Sequence, residues 1–312
     1  MSRRDMSGSR EEDRDRVSLP NAQALVDALA LGSIYALVAV GIGLVFGVLR
    51  LVNFAYGELV TAGGYTLAYM NGYPAVLGIL AAFAVVIALS LLLERVAFRP
   101  LRGASPATML VATFAISFLL QSVYLLAFGP RGKVPGELSS LNRAVEIGSL
   151  HVRWITVVAL GAAAVLLAGT ALVLNRTSIG LHMRAAAIDF RTARVLGVRA
   201  DRVIAFAFVL SGVLAGAVSV LITVSQPLVT PDYGVSITIF ALVGVVVGGL
   251  DRLVTASLGG FAIGFATSLF GDILPVETRN YIPSVVFGLV ILVLLVRPAG
   301  LFAPGRTSAE RV

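Results

Sequence analysis

The 312-residue chain has no cysteine. That excludes disulfides, thiolate nucleophiles and cysteine-based metal sites. It has one lysine, Lys133. A P-loop needs Gly-x4-Gly-Lys followed by Ser or Thr. Gly132 precedes Lys133, but Ala127 and Val134 occupy the other required positions. The chain is therefore not expected to bind and hydrolyse ATP itself. Histidine is limited to His151 and His182, far apart in polar loops and without surrounding carboxylates. No metal and no cofactor are expected. No His stands near a Ser in an elbow motif, so no hydrolase chemistry and no catalytic residue are assigned. Charged residues make up only 13% of the chain, against about a quarter in soluble domains.

Apolar residues fill that space, at 58% of the total. Several runs of about 20 residues follow one another, each long enough to cross a hydrocarbon core of ~30 Å as a helix. The runs are continuous rather than alternating, which argues against a membrane β-barrel. The fold class is all-α: a polytopic transmembrane helical bundle. Its 32 glycines suit close helix packing in lipid. The net charge of +7 is not a nucleic-acid signature, because the arginines cluster at the ends of apolar spans, as the positive-inside rule requires.

Residues 1–19 carry five arginines and five acids and read as a disordered polar tail. It is not a typical signal peptide, since the apolar run after Pro20 is too long. Residues 20–302 form the transmembrane domain, and 303–312 a polar tail. Spans are expected at 22–48, 75–98, 106–128, 154–174, 203–224, 235–250, 253–273 and 282–296. Pro100 is expected to halt the third apolar segment and Asp201 to cap the helix that follows it. The less apolar segment 54–70 makes nine spans if it crosses fully, with the N-terminus outside. If it is a half-crossing segment there are eight, with the N-terminus inside. Residues 129–153 form a polar outer loop.

Intramembrane polar groups are the functional candidates, because leaving them unpaired in lipid is costly. Asn53, Glu58, Tyr65 and Gln121 stand out as a translocation pathway. Glu58 lines or shapes a water-filled path, or else is a structural carboxylate that pairs with Arg50 or caps a broken helix. Gln121 suits an interhelical hydrogen bond, and Asn53 a helix-end cap. The small-xxx-small pairs Gly43/Gly47, Gly212/Gly216, Gly244/Gly248 and Gly260/Gly264 are expected to pack within the bundle. A faint likeness between the Leu59 and Leu253 segments reads as coincidence.

The longest polar interruption in the second half is residues 175–202, with six arginines against Asp189 and Asp201. Arg184 to Leu196 is rich in helix formers, and Gly197 follows where a helix would stop. Ile188, Thr192 and Val195 share one face of that helix, and Arg184, Arg191 and Arg194 another. Such a short cytoplasmic helix is something a soluble partner could grip.

Two blocks carry a family resemblance. LGSIYALVAVGIGLVFGVLRLVNFAYGELVTAGGY (Leu31 to Tyr65) resembles the opening of the permease subunits of branched-chain amino-acid ABC importers. GLHMRAAAIDFRTARVLGVRADRVIAFAFVLSGVLAG (Gly180 to Gly216) resembles their coupling loop and next span. ALVGVVVGGL (Ala241 to Leu250) and VRPAGLF (Val296 to Phe302) also fit. The resemblance implies a multi-pass protein of the bacterial inner membrane that moves aliphatic amino acids. It implies cytoplasmic ATP-binding subunits, a second identical or homologous permease, and an extracytoplasmic substrate-binding protein as partners. The coupling helix is then Arg184 to Gly197, with Arg184, Ala185, Asp189, Arg191, Arg194 and Gly197 as the contact set. Asn53, Phe54, Ala55, Gly57 and Glu58 match the family's Asn-Phe-Ala-x-Gly-acid block, with Tyr56 where many relatives carry His. Relatives that handle urea or short amides leave the solute open. A stand-alone ion-coupled transporter, with Glu58 as its ion carrier, is the rival from another class.

Overall fold

The computed structural model describes residues 22–136, 144–147, 150–249, 252–297 and 300–301. Both expected tails lie outside the described residues. The helices are α1 (Ala22–Leu49), α2 (Tyr56–Tyr69), α3 (Ala75–Leu93), α4 (Pro106–Phe128), α5 (Trp154–Arg176), α6 (Ser178–Ile188), α7 (Phe190–Val195), α8 (Ala200–Ser225), α9 (Tyr233–Gly248), α10 (Leu253–Ile273) and α11 (Ile282–Val296). Seven of the helices are long and apolar enough to span a membrane. The chain is a multi-pass helical membrane protein. One short antiparallel hairpin, β1 (Ala144–Ile147) and β2 (Leu150–Arg153), lies in what the sequence marks only as a polar loop.

Two side-chain contacts fix the direction of α1. Asp27 near its start pairs with Arg153 of β2 at 3.1 Å. Arg50 just past its end donates from Nη2 to the carbonyl of Ala187 in α6 at 2.7 Å. The hairpin and α6 therefore mark opposite ends of the bundle. Arg50, Arg95, Arg99, Arg102, Arg252 and Arg297 join the arginines of 175–202 at the α6 end, against Arg131, Lys133, Arg153 and Arg279 at the other. The α6 end is the cytoplasmic one by the positive-inside rule. The start of α1 then faces outward, and the described residues make nine passes.

The 15 residues of α11 are prolonged by the 3-10 turn Val276–Tyr281, which runs straight into it and makes the last pass long enough. Two other passes are incomplete as helices. The 14 residues of α2 reach about 21 Å at 1.5 Å per residue, and the 16 of α9 about 24 Å, both short of ~30 Å. The outer end of α2 meets the outer loop, where Asn71 accepts from the Gly136 amide at 3.2 Å. Its N-terminus therefore lies inside the membrane. The non-helical stretch Leu51–Ala55 completes that pass. Irregular backbone survives at such depth only when enclosed by protein, and Leu51, Asn53 and Ala55 are buried.

α1 and α8 form the interior, while α4, α5 and α11 show most of their surface. Small residues let the inner helices touch. A Cβ on Gly244 would lie 2.7 Å from the Cα of Gly260, and one on Gly264 2.7 Å from the Leu31 carbonyl. Gly212 and Gly216 face Ser90 and Phe83 of α3. These pairs pack within the bundle; Gly47 alone of the expected set meets nothing within 4 Å.

Two helix-end expectations differ from the structure. Pro100 does not end the third pass at Arg99. A π-turn, Glu94–Phe98, precedes a further helical turn, Arg99–Leu101. A wider turn ahead of proline accommodates its missing N–H and its ring. Asp201 is not the cap of α8, a position held by Arg199. Its carboxylate instead accepts from Arg99 at 3.0 Å and from Arg102. Arg102 also pairs with the buried Glu94, so α3 and α8 are tied together at the cytoplasmic face.

Candidate functional site

Glu58 sits in the first turn of α2 and is completely buried. That position places a carboxylate near the positive end of the helix dipole. Its Oε1 accepts from the Ser117 hydroxyl at 2.7 Å and from the Gln121 amide at 3.0 Å. The Tyr124 hydroxyl donates to the Glu58 carbonyl at 2.9 Å. Ser117, Gln121 and Tyr124 are spaced i, i+4, i+7, so one face of α4 supplies all three. The second carboxylate oxygen, Oε2, has no hydrogen-bond partner among the described residues. Neither has the hydroxyl of Tyr65, whose ring lies 5.8 Å from Tyr124 and 4.3 Å from Phe128. Glu58 is not paired with Arg50.

Of the four residues the sequence singles out, Glu58 and Gln121 are in direct contact, and Tyr65 joins them through Tyr124. Asn53 stands apart. Its Oδ1 accepts from the Ala55 amide at 3.1 Å, a local turn in the stretch that leads into α2. Ser117 and Tyr124 escaped the sequence reading, although their spacing from Gln121 was visible. Two further buried hydroxyls, Ser219 and Thr223 of α8, face Gly63 and Gly64 and lack partners among the described residues. They carry no sequence signal, since isolated Ser and Thr are common in membrane helices.

α2 and α9 meet at their N-termini. The Gly234 amide donates to the Thr61 hydroxyl at 2.9 Å, satisfying one of the free N–H groups at the start of α9. Thr61 in turn donates to the Gly57 carbonyl at 3.1 Å. Two broken helices thus begin side by side inside the membrane, next to Glu58. Such an arrangement gathers backbone dipoles and few side chains at one depth.

The expected single coupling helix is two helices. α6 ends at Ile188, and Asp189 is extended, with φ −146° and ψ 104°. Asp189 then caps α7, accepting from the Thr192 amide at 3.2 Å and from the Thr192 hydroxyl. Local capping by a short acidic side chain outcompetes continuation of an alanine-rich helix. The one-face pattern of Ile188, Thr192 and Val195 does not survive this break. Gly197 does end the segment, with φ +90°. The Gly197 amide bonds Arg194 at 3.1 Å and the Val198 amide bonds Ala193 at 3.0 Å, a Schellman stop.

Met183, Ala186 and Ala193 are buried against the bundle. Ile188, Val195 and Leu196 are 87%, 87% and 79% exposed. Arg194 is exposed beside them. Arg184 donates to Asn175 at 3.2 Å, and Ala185 is half-buried. The side chain of Arg191 lies outside the described residues.

The family described as branched-chain amino acid transport system / permease component matches residues 24–295. The chain is 34% identical to the high-affinity branched-chain amino acid transport system permease protein BraD of Pseudomonas aeruginosa, over 93% of this chain and 97% of that one. It is 30% identical to the corresponding LivH protein of Escherichia coli over the same shares. A probable branched-chain amino acid transport permease of Methanocaldococcus jannaschii is 28% identical, over 89% of this chain and 91% of its own. No solved structure matches.

Proposed function

We propose that this chain, which belongs to the branched-chain amino acid transport system permease family, is the membrane subunit of a binding-protein-dependent ABC importer for aliphatic amino acids. Cytoplasmic ATPase subunits dock on α6 and α7 and do the hydrolysis. A second permease completes the path, and an extracytoplasmic binding protein delivers the solute.

The observation that carries this reading is the exposed apolar trio Ile188, Val195 and Leu196, set among arginines on a helix pair at the cytoplasmic end. Exposed apolar side chains rimmed by charge mark a protein-binding surface. The pair is also mechanically linked to the interior. Arg50 joins α6 to the stretch that leads into α2, where Glu58 lies. Motion of the docked helices would therefore reach α2, and ATP-driven closure would shift the bundle between outward and inward states. In this account Glu58, Gln121 and Tyr65 shape the path, and Asn53 sets the entry of α2.

The rival ion-coupled transporter gains nothing from α6 and α7. Co-purification separates the two. Arg191→Glu with Arg194→Glu reverses two charges of the α7 segment and is expected to abolish ATPase association while the permease still folds. Normal association in that double variant would sink the docking claim.

A further inference from the structure

A cavity of about 500 Å³ opens on the outer face, between α1, the connection 226–232 and the start of α9. It is of the size and mixed character that small-molecule sites show. The connection descends into the membrane to form it. Val229 pairs with Lys133 of the outer loop through two bonds of 2.9 Å, and its side chain rests on Gly64. Gly234, five residues on, reaches Gly57. From Gly64 to Gly57 is two helical turns of α2, a drop of about 10 Å. The Tyr233 hydroxyl donates to the Gln226 carbonyl at 2.9 Å and holds the loop over the helix start.

Asp232 is the cavity's only charged lining residue among those described. Its carboxylate makes no hydrogen bond and no ion pair with any described residue. It lies close enough to Glu58 and Tyr65 to interact with both electrostatically. Gln226, Thr230 and Ser236 bring neutral donors to the same cavity, and Leu228 and Ile237 bring apolar wall.

We propose that this cavity is the first station of the solute in the permease, and that Asp232 takes the ammonium group of a zwitterionic aliphatic amino acid there. The neutral donors take the carboxylate and the apolar wall takes the side chain. An unpaired carboxylate gains little from urea or an uncharged amide, and much from an ammonium that forms a charge-assisted bond. A bare divalent cation is a poor alternative, because one carboxylate does not supply six or more oxygen ligands. The inference rests on the permease reading and assigns the residue that selects its solute.

The test uses the complete transporter in proteoliposomes. Losing a charge-assisted bond is expected to lower leucine uptake about tenfold or more in Asp232→Asn, with Asp232→Glu within about threefold of the parent. Binding-protein-stimulated ATP hydrolysis should persist in both. In the cysteine-free chain, Ser236→Cys should react with a membrane-impermeant thiol reagent from outside, and saturating leucine should slow that reaction. Parental uptake in Asp232→Asn overturns the inference. So does equal loss of uptake and stimulated hydrolysis in both Asp232 variants, or a Ser236→Cys thiol that leucine does not protect. A parent transporter that moves urea or short amides but no amino acid removes the solute assignment beneath it, a result distinct from all of these.

Discussion

Gly57 and Gly234 face each other backbone to backbone where α2 and α9 begin. A Cβ on Gly57 would stand 2.6 Å from the Gly234 carbonyl oxygen, and one on Gly234 would overlap the Gly57 carbonyl. Neither obstacle is a flexible side chain, so relief requires the two helices to separate. Gly234→Ala is expected to destabilise the permease by about 1–3 kcal/mol or more, the cost of overpacking. Gly47→Ala, with nothing within 4 Å, should be neutral or slightly stabilising, since alanine is favoured over glycine by up to about 1 kcal/mol in a helix. Thermal melts of the two variants in detergent give the comparison.

Arg102 and Arg99 both bind Asp201, yet they should not be equivalent. Asp201 is well exposed, and an exposed pair contributes about 0–1 kcal/mol. Arg99→Ala should therefore change stability little. Arg102 is also the partner of Glu94, whose side chain is only 8% exposed. Arg102→Ala leaves that carboxylate buried and unpaired, and should cost several kcal/mol, up to about 3–5. Equal melting temperatures for the two variants would contradict the ranking.

Glu58 separates packing from path. Glu58→Gln keeps a carbonyl oxygen where Ser117 and Gln121 donate, so the permease should assemble normally. Its uptake should fall, because an uncharged amide nitrogen then stands where the unpartnered second oxygen was. Glu58→Leu strips both donors of their acceptor and should cost roughly 1–3 kcal/mol for each group left unsatisfied. Unchanged uptake kinetics in Glu58→Gln would return the residue to a purely structural role.

Much of this architecture is legible in the chain. The long apolar runs mark the passes, because a bilayer leaves hydrophobic length as the dominant signal. Gly197 reads as a helix stop, and it adopts the positive φ that glycine tolerates. What sequence reading missed is local competition. The alanines around Asp189 favour one helix, but Asp189 with Thr192 three residues on forms a cap that splits it. Pro100 reads as a terminator, but a π-turn before it lets the helix continue. Glu58 and Gln121 are each visible as polar residues in apolar runs. Their contact is not, because nothing in one sequence states that α4 lies against α2. Asp232 shows no signal at all, since its depth depends on where the 226–232 connection descends.

The central claim is tested most directly by uptake into proteoliposomes that contain this chain, its partner permease and the ATPases, with binding protein outside and ATP inside. The account predicts leucine accumulation that requires both ATP and the binding protein. Accumulation by this chain alone, driven by an ion gradient and indifferent to ATP, would contradict it.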